Sequence, residues 1–511
     1  MLQRSTSTPE TAPPASQPGV HWGASRRWGK WLDGAIYFFL CLFVILLPHS
    51  IKGSNHAWQI ALILWLVKLV VERKRPFPQP LSAPLLAYLV LSAISTLLSP
   101  DPYLSWAAMK RVCLVIVIVI AAQNLTRLSQ VRTLVFLLLL SGLAAAGFTA
   151  WQYVYGIGLE VKNVSPDTAL YRAGVRDSDV ITRVNQHGVH SPAQMQSALE
   201  QCSSEAIVPI DFLRGSPLLK RKTFAACEGL RSMSSGTQSL EVVRAKPLRA
   251  QGTLRHYIIF AETLMLVGCL AWAMFLSTEQ GNVALRAFFA AIFLSFVVTV
   301  LATQTRAAIV GLAVGCFVAL ELLAGKRTRI WASIFLGVLL VVATVWIWHT
   351  RGLDWIGAHD AGTHYRLLMW EDGVRLIRQH PWFGVGMETI FNHWQEWNIR
   401  AYALYHEQWH FHSDIMQLAV ERGLLTLAAW LWFVVASLIF LRRLIGRVAA
   451  RSRFATGAVA GALAAFAAFL VQSLVEYSLN NETVVMLLFL LLGMAIAIDH
   501  LLDVPGAIDI P

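Results

Sequence analysis

His410 and His412 stand one residue apart in a polar stretch rich in His and Trp. Histidine is the side chain whose unperturbed pKa lies nearest neutrality, so it can take a proton from a hydroxyl at ordinary pH. Glu421 follows closely enough to orient or charge-balance a His or an Arg. A second set is cationic: Arg306 in Thr303-Gln304-Thr305-Arg306, Arg249 and Arg255 on either side of Gly252-Thr253, and Arg366. A guanidinium keeps its charge and forks onto the oxygens of a phosphate. One competing pattern overlaps the first histidine: His406-Glu407-Gln408-Trp409-His410 has the spacing of a zinc-protease helix. Each set also has a bland reading, as interface histidines or as a boundary arginine that snorkels to lipid phosphates.

The elements that must position these residues are membrane spans. The chain has 511 residues, of which 56% are hydrophobic and 14% charged, and its mean hydropathy is +0.55. A soluble domain carries about 25% charged residues, so an ordinary soluble enzyme is excluded, as is a disordered or fibrous chain. A spanning helix needs about 20 mostly apolar residues, and about twelve such stretches occur. They lie near 33–49, 57–71, 82–98, 108–123, 133–154, 257–276, 287–303, 307–324, 331–348, 423–441, 455–476 and 484–499. The expected fold is an all-α polytopic membrane protein with a small α+β insert. Residues 1–30 read as a disordered cytoplasmic tail before an uncleaved first span, 31–154 as five spans, 155–250 as the insert, 251–348 as four spans, 349–421 as a long outer loop, and 422–511 as three spans and a tail.

Loop charge sets the orientation. Arg26/Arg27/Lys30, Arg73/Lys74/Arg75, Arg127/Arg132, Arg286, Lys326/Arg327/Arg329 and Arg442/Arg443/Arg447/Arg451/Arg453 all fall on the side of the N-terminus. By the positive-inside rule both termini are cytoplasmic. The net charge of +12 is therefore mostly topological and no sign of a nucleic-acid partner. Both long polar segments then fall outside. Cys202 and Cys227 lie in the first of them, where a disulfide is permitted though sequence does not show it. The other four cysteines lie in spans.

From Gly156 the pattern turns to short β-like runs at Leu159-Glu160-Val161, Val180-Ile181 and 207–212, with one helix over about 192–200. Gly156-Ile157-Gly158-Leu159, Ser165-Pro166…Ala169…Ala173-Gly174-Val175 and Asp179-Val180-Ile181…Val184-Asn185 together resemble a PDZ domain over about 155–215, with Ser178 where Gly is usual. The resemblance implies capture of an extended peptide by strand addition, or else a plain spacer or docking module. Residues 216–250 have no firm assignment.

Pro381-Trp382-Phe383-Gly384-Val385-Gly386 closes a helix-like stretch from Arg366, and His412-Ser413 is followed after nine residues by Gly423. With Arg366 and Trp370, these resemble the outer loop of the O-antigen ligase and polymerase superfamily of bacterial glycosyltransferases, although Thr426 replaces a final Gly. Thr305-Arg306-Ala307-Ala308 is similar to that family's Ser-Arg-(Gly/Ala)-Ala turn. The run 249–256 is similar to its Arg-x-x-Gly-Thr-Phe-x-x-x-Asn segment, without the Phe and the later Asn. Outside the insert the resemblance covers nearly the whole chain. It implies a sugar chain on undecaprenyl diphosphate as donor and membrane lipid as setting. The acceptor it implies is periplasmic: lipid A–core first, otherwise another glycan or a protein Ser/Thr. It further implies His412, then His410, as base, with Glu421 in support. Arg306, Arg255, Arg366 and Arg249 would hold the diphosphate, and inversion would proceed without metal or other cofactor in the bacterial inner membrane. Against a zinc protease, the segment 405–414 is polar rather than a span, and Leu32-Asp33-Gly34 lies far upstream on the wrong side. Against a transporter, few ionisable residues interrupt the spans. The six Trp of the second loop (Trp355, Trp370, Trp382, Trp394, Trp397 and Trp409) suit either a membrane interface or sugar stacking.

Overall fold

The computed structural model describes residues 22–72, 79–203, 205–214, 219–234, 241–247, 249–254, 256–331, 333–334, 361–405 and 410–504. Long apolar runs become helices because a spanning segment must satisfy its own backbone. They are α1 (Trp22–Leu46), α2 (Ile51–Glu72), α3 (Ser82–Leu97), α4 (Pro102–Asn124, tightened to a 3-10 turn at Cys113–Val115) and α5 (Leu128–Tyr155). The insert follows. Then come α9 (Tyr257–Ser277), α10 (Val283–Ala302), α11 (Arg306–Leu323), α12 (Ala361–Gln379), α13 (Arg400–Tyr405), α14 (Asp414–Val448), α15 (Arg453–Ser473) and α16 (Glu482–Leu502). Among the described residues ten helices are long and apolar enough to cross a membrane, and α3 is a shorter apolar one. The span expected at 331–348 lies almost wholly outside the described residues. The chain is a multi-pass membrane protein.

Of the expected tail of 1–30, residues 1–21 lie outside the described residues and Trp22 onward belongs to α1, where the Trp28 and Trp31 rings meet at 6.4 Å.

The central helices are α9, α15 and α16, whose spanning windows are 78%, 72% and 89% buried, against 28% for α10 and α11. The small residues of α15 (Gly457, Gly461 and its alanines) allow this closeness. On α11 a Cβ at Gly315 would lie 2.8 Å from the Ala464 carbonyl. The helices alternate in direction, so the connections fall into two sets. On one face Thr253 Oγ1 donates to the Pro48 carbonyl (3.0 Å), Ala250 N–H to the Ala302 carbonyl (3.0 Å) and Leu479 N–H to Asp414 Oδ1 (3.0 Å). On the opposite face Arg453 pairs with Glu279 (3.0 Å) and Arg447 with Asp503 (3.1 Å).

The insert comprises β1 (Gly158–Lys162), α6 (Ala169–Arg172), β2 (Val180–Val184), β3 (His187–Gly188), α7 (Pro192–Glu200), β4 (Ile207–Arg214), β5 (Leu219–Ala226), α8 (Cys227–Ser234) and β6 (Glu241–Ala245). The strands form one antiparallel sheet in the order β5-β4-β2-β1-β6, with β3 on β2. A core of Leu159, Val161, Ile181, Val184, Ile210 and Phe212 lies beneath it. Ser178 adopts the left-handed φ (66°) that a glycine would take there. Buried Asp179 holds Arg214 in a two-pronged ion pair. Cys202 and Cys227 are joined in a disulfide. The sheet extends well past residue 215, through β5 and β6. β1 pairs with β2 on one edge and, from Gly158↔Ala245 to Lys162↔Glu241, with β6 on the other. Both sides of β1 are therefore occupied by the chain's own strands, and β5 and β6 form the edges of the sheet.

Candidate active site

The loop before α14 and the short connection between α15 and α16 meet on the face that bears the insert. Phe411 is fixed from both sides: its carbonyl accepts from Trp370 Nε1 (2.9 Å) and its N–H donates to Gln417 Oε1 (2.8 Å). Ser413 caps α14 by accepting from Met416 N–H. Between these anchors His412 adopts a left-handed φ of 48°. That conformation costs a non-glycine residue energy and persists only where its surroundings enforce it. The result aims the imidazole at Glu476. His412 Nδ1 lies 3.5 Å from Glu476 Oε2, and Arg366 Nη2 lies 3.2 Å from Glu476 Oε1. The His410 ring lies 4.4 Å from the His412 ring and 5.8 Å from Tyr477, and Tyr365 meets His412 edge-on at 5.9 Å.

The electrostatics follow from burial and neighbours. Burial lowers the His410 pKa to about 4, helped by the charges of His412 and Arg366 and opposed by Glu476. Glu476 moves the other way. Burial alone would raise its pKa, but the His412 hydrogen bond and the charges of His412, Arg366 and His410 outweigh it and hold the pKa below the ordinary value. Glu476 is thus a carboxylate shared by a histidine and an arginine.

Of the residues chosen from sequence, His412, His410 and Arg366 come together here. Glu421 does not join them. It lies at the far end of the first part of α14, where its Oε1 accepts from Glu388 N–H (2.9 Å). Glu388 in turn pairs with Arg111 (2.6 Å), and the neighbouring Arg422 donates to Tyr88 OH (2.6 Å). Glu476, which the sequence reading missed, takes the place beside His412. Arg306 opens α11 on the same face, exposed, and among the described residues it makes no ion pair. Gln304, with φ 55°, turns the chain there. Arg249 lies over the Tyr257 ring (4.7 Å), which stacks on His256 (5.7 Å, planes 7° apart). Burial lowers the His256 pKa, while the charge of Glu476 pulls it back. Arg255 lies outside the described residues, as do 406–409 of the His-Glu-x-x-His pattern. Of that pattern only His410 is described, and its ring turns to His412 and Tyr477. Trp370, Trp394 and Trp397 are engaged inside the loop, the last two against Tyr402 (4.8 Å) and His393 (5.0 Å). Trp382 is exposed.

The glycine motif also has a structural meaning. Gly423, with φ 79° and ψ 171°, breaks α14. The loop 381–386 fills the break. Leu424 N–H donates to the Pro381 carbonyl (2.7 Å), Val385 N–H to the Val420 carbonyl (3.0 Å) and Gly386 N–H to the Glu421 carbonyl (2.8 Å). The groups freed by the break are thereby satisfied, as a low-dielectric setting requires, and the helix start that bears His412 is locked to α12, which bears Arg366.

A many-span helical protein with a polar histidine–carboxylate–arginine cluster at one face is the class that fold and site define. Residues 289–431 match the family model described as O-antigen ligase. This stretch, less than a third of the chain, contains Arg306, Arg366, His410, His412 and the Gly423 break; Glu476, Arg249 and His256 come from outside it. The match points to a glycosyltransferase of the ligase or polymerase type. No curated protein matches the sequence.

Proposed function

We propose that the protein is a glycosyltransferase of the O-antigen ligase kind. It moves an oligosaccharide from undecaprenyl diphosphate to an acceptor at the face bearing the insert, with lipid A–core as the acceptor. The observation that carries the reading is the His412–Glu476–Arg366 cluster, whose His412 and Arg366 lie on the segment that matches the ligase family while Glu476 comes from the later α15–α16 connection. Glu476 faces Nδ1 of His412, which leaves Nε2 to take the proton of an acceptor hydroxyl, the arrangement by which a carboxylate orients a catalytic histidine. The hydroxyl oxygen bonds to the anomeric carbon. The bond from that carbon to the phosphate oxygen breaks, and the electron pair leaves with undecaprenyl diphosphate, inverting the anomeric centre. The charge that develops on the diphosphate is what the outer arginines meet, Arg306 first, with Arg366 and Arg249. The protein lies in the bacterial inner membrane with both termini cytoplasmic and the site periplasmic.

The test is transfer from lipid-linked donor by the purified, reconstituted protein. His412→Ala and Glu476→Gln are expected to lose about 10²–10⁴ in turnover, the usual worth of a positioned acid–base group, while still inserting and binding donor. Wild-type transfer by His412→Ala would remove the base and with it the reading. In cells, deletion of the gene should strip the polysaccharide from lipopolysaccharide. Loss from glycoproteins instead would make the acceptor a protein.

A further inference from the structure

Where the insert meets the spans, a cavity of about 420 Å³ opens between the end of α5, the β2–β3 turn and the segment leading to α9. Its walls are of two kinds. One is aromatic: Phe148 and Trp151 stack with centroids 5.8 Å apart and planes 20° apart. The other is polar, with Arg183 and His190 from the insert and Gln251 and Thr253 from the segment below. His190 is aimed into this junction, since its ring meets Trp151 edge-on at 5.7 Å. Its Nδ1 is buried without a hydrogen-bond partner among the described residues. A buried polar atom left so is costly unless something supplies the bond.

Aromatic side chains at a helix end ordinarily form the interface belt. Tyr155, more than half exposed, fits that description. Trp151, 42% exposed, is instead engaged at the insert, where the His190 ring meets it edge-on. The volume falls within the roughly 300–1,000 Å³ of ordinary small-molecule sites. An aromatic pair in one cavity with a guanidinium, an imidazole and an amide suits a pyranose ring, whose C–H face can lie on an aromatic ring while its hydroxyls reach the polar groups. A phosphate alone would leave the aromatic wall unused, and an acyl chain would leave His190 unsatisfied.

We propose that this cavity is a saccharide-binding subsite for a glycan substrate, which rests on the glycosyltransferase reading. Thr253, in the cavity wall, lies three residues before His256 in the segment leading to α9. Two sources share this chemistry, the acceptor glycan and the outer sugars of the donor.

The test uses the full-length protein in detergent and saturation-transfer NMR with two probes: the delipidated core oligosaccharide of the host's lipopolysaccharide, and the glycan released from the lipid-linked donor. Wild-type protein is expected to transfer saturation to one probe, and that probe names the source. Trp151→Ala and the exposed-site variant Arg183→Gln should weaken that signal at least tenfold and raise KM for the same substrate about tenfold with kcat unchanged. Trp151→Phe, which keeps a ring, should restore most of it. Equal signals in wild type and both variants, or no signal for either probe, would overturn the subsite. His412→Ala should keep the NMR signal while losing turnover. If it turns over normally, the glycosyltransferase reading fails, and the NMR comparison still decides whether the cavity holds a sugar.

Discussion

His410 is enclosed by His412, Tyr477, Arg366 and Glu476, and the consequence is a stability that depends on pH. Burial, with the charges of His412 and Arg366, brings its pKa from the ordinary 6.5 down to about 4. The folded protein therefore binds fewer protons than the unfolded chain between those two values, so stability rises with pH across that window and is complete above it. Acidification from pH 6.5 to 4 should lower the unfolding free energy by at most ~3 kcal/mol from this residue alone. Glu476 adds a second loss at lower pH. Its depressed pKa stabilises the fold above the ordinary carboxylate value, and that contribution disappears as the pH falls through its folded pKa. Thermal unfolding in detergent from pH 7 to 4 reads the first effect, and His410→Gln should flatten the upper part of the curve. An unchanged slope in that variant would mean that another group titrates there. His410 and His412 were legible in the sequence because their spacing to Gly423 forms a pattern. Glu476 was not, because it lies in a brief connection 110 residues from Arg366 in sequence, and no local pattern announces a contact across that distance.

At the scale of elements, the break at Gly423 decides where both halves of the site lie. A Cβ at this position would lie 2.1 Å from the Trp382 carbonyl oxygen, and its φ of 79° belongs to glycine. Gly384, with φ 69°, is similarly closed in: a Cβ there would lie 2.4 Å from the backbone of Glu421. Side chains at either place would push the 381–386 loop off the break, unpairing Leu424, Val385 and Gly386. Gly423→Ala should thus cost roughly 1–3 kcal/mol in backbone strain before any contact is counted, lower the thermal midpoint, and abolish transfer by displacing His412 from Glu476. Gly446→Ala is the control within the same helix. Nothing lies within 4 Å of a Cβ there, so its stability should stay within about 1 kcal/mol of wild type. Equal midpoints and activities for the two variants would show that the break does not hold the site. The spacing of these glycines was readable in the sequence, whereas their packing against one another was not. The insert shows the same limit. β1, β2 and β4 alternate enough to be read as strands. By contrast, β5 (Leu219–Ala226) carries Lys220, Arg221 and Lys222 in succession, and β6 gains its identity only by returning to β1 across some eighty residues.

For the whole molecule the two faces differ in charge as well as chemistry. The ends of the helices opposite the site carry Arg127, Arg286, Lys326, Arg327, Arg329, Arg442, Arg443, Arg447, Arg451 and Arg453. On the site face Arg366 pairs with Glu476 and Arg111 with Glu388, while Arg306 is exposed. The spans were legible because a run of about 20 apolar residues is a strong signal, and their alternation in the structure puts the basic ends together without any appeal to charge. Translocation disfavours short loops rich in Lys and Arg, so these ends should stay in the cytoplasm and the disulfide-bearing insert should be exported, where Cys202–Cys227 can form and last. Reporter insertions separate the two orientations. Alkaline phosphatase placed in the exposed turn at Gln186 should be active, and a fluorescent protein that folds only in the cytoplasm should light up when fused after Val504. In the same cells, a membrane-impermeant maleimide should label a cysteine put in place of exposed Arg306. The reverse pattern of reporters would put the His412 cluster on the cytoplasmic side. It would then face neither an exported lipid-linked glycan nor a periplasmic acceptor, and the proposed reaction would have no substrate at that site.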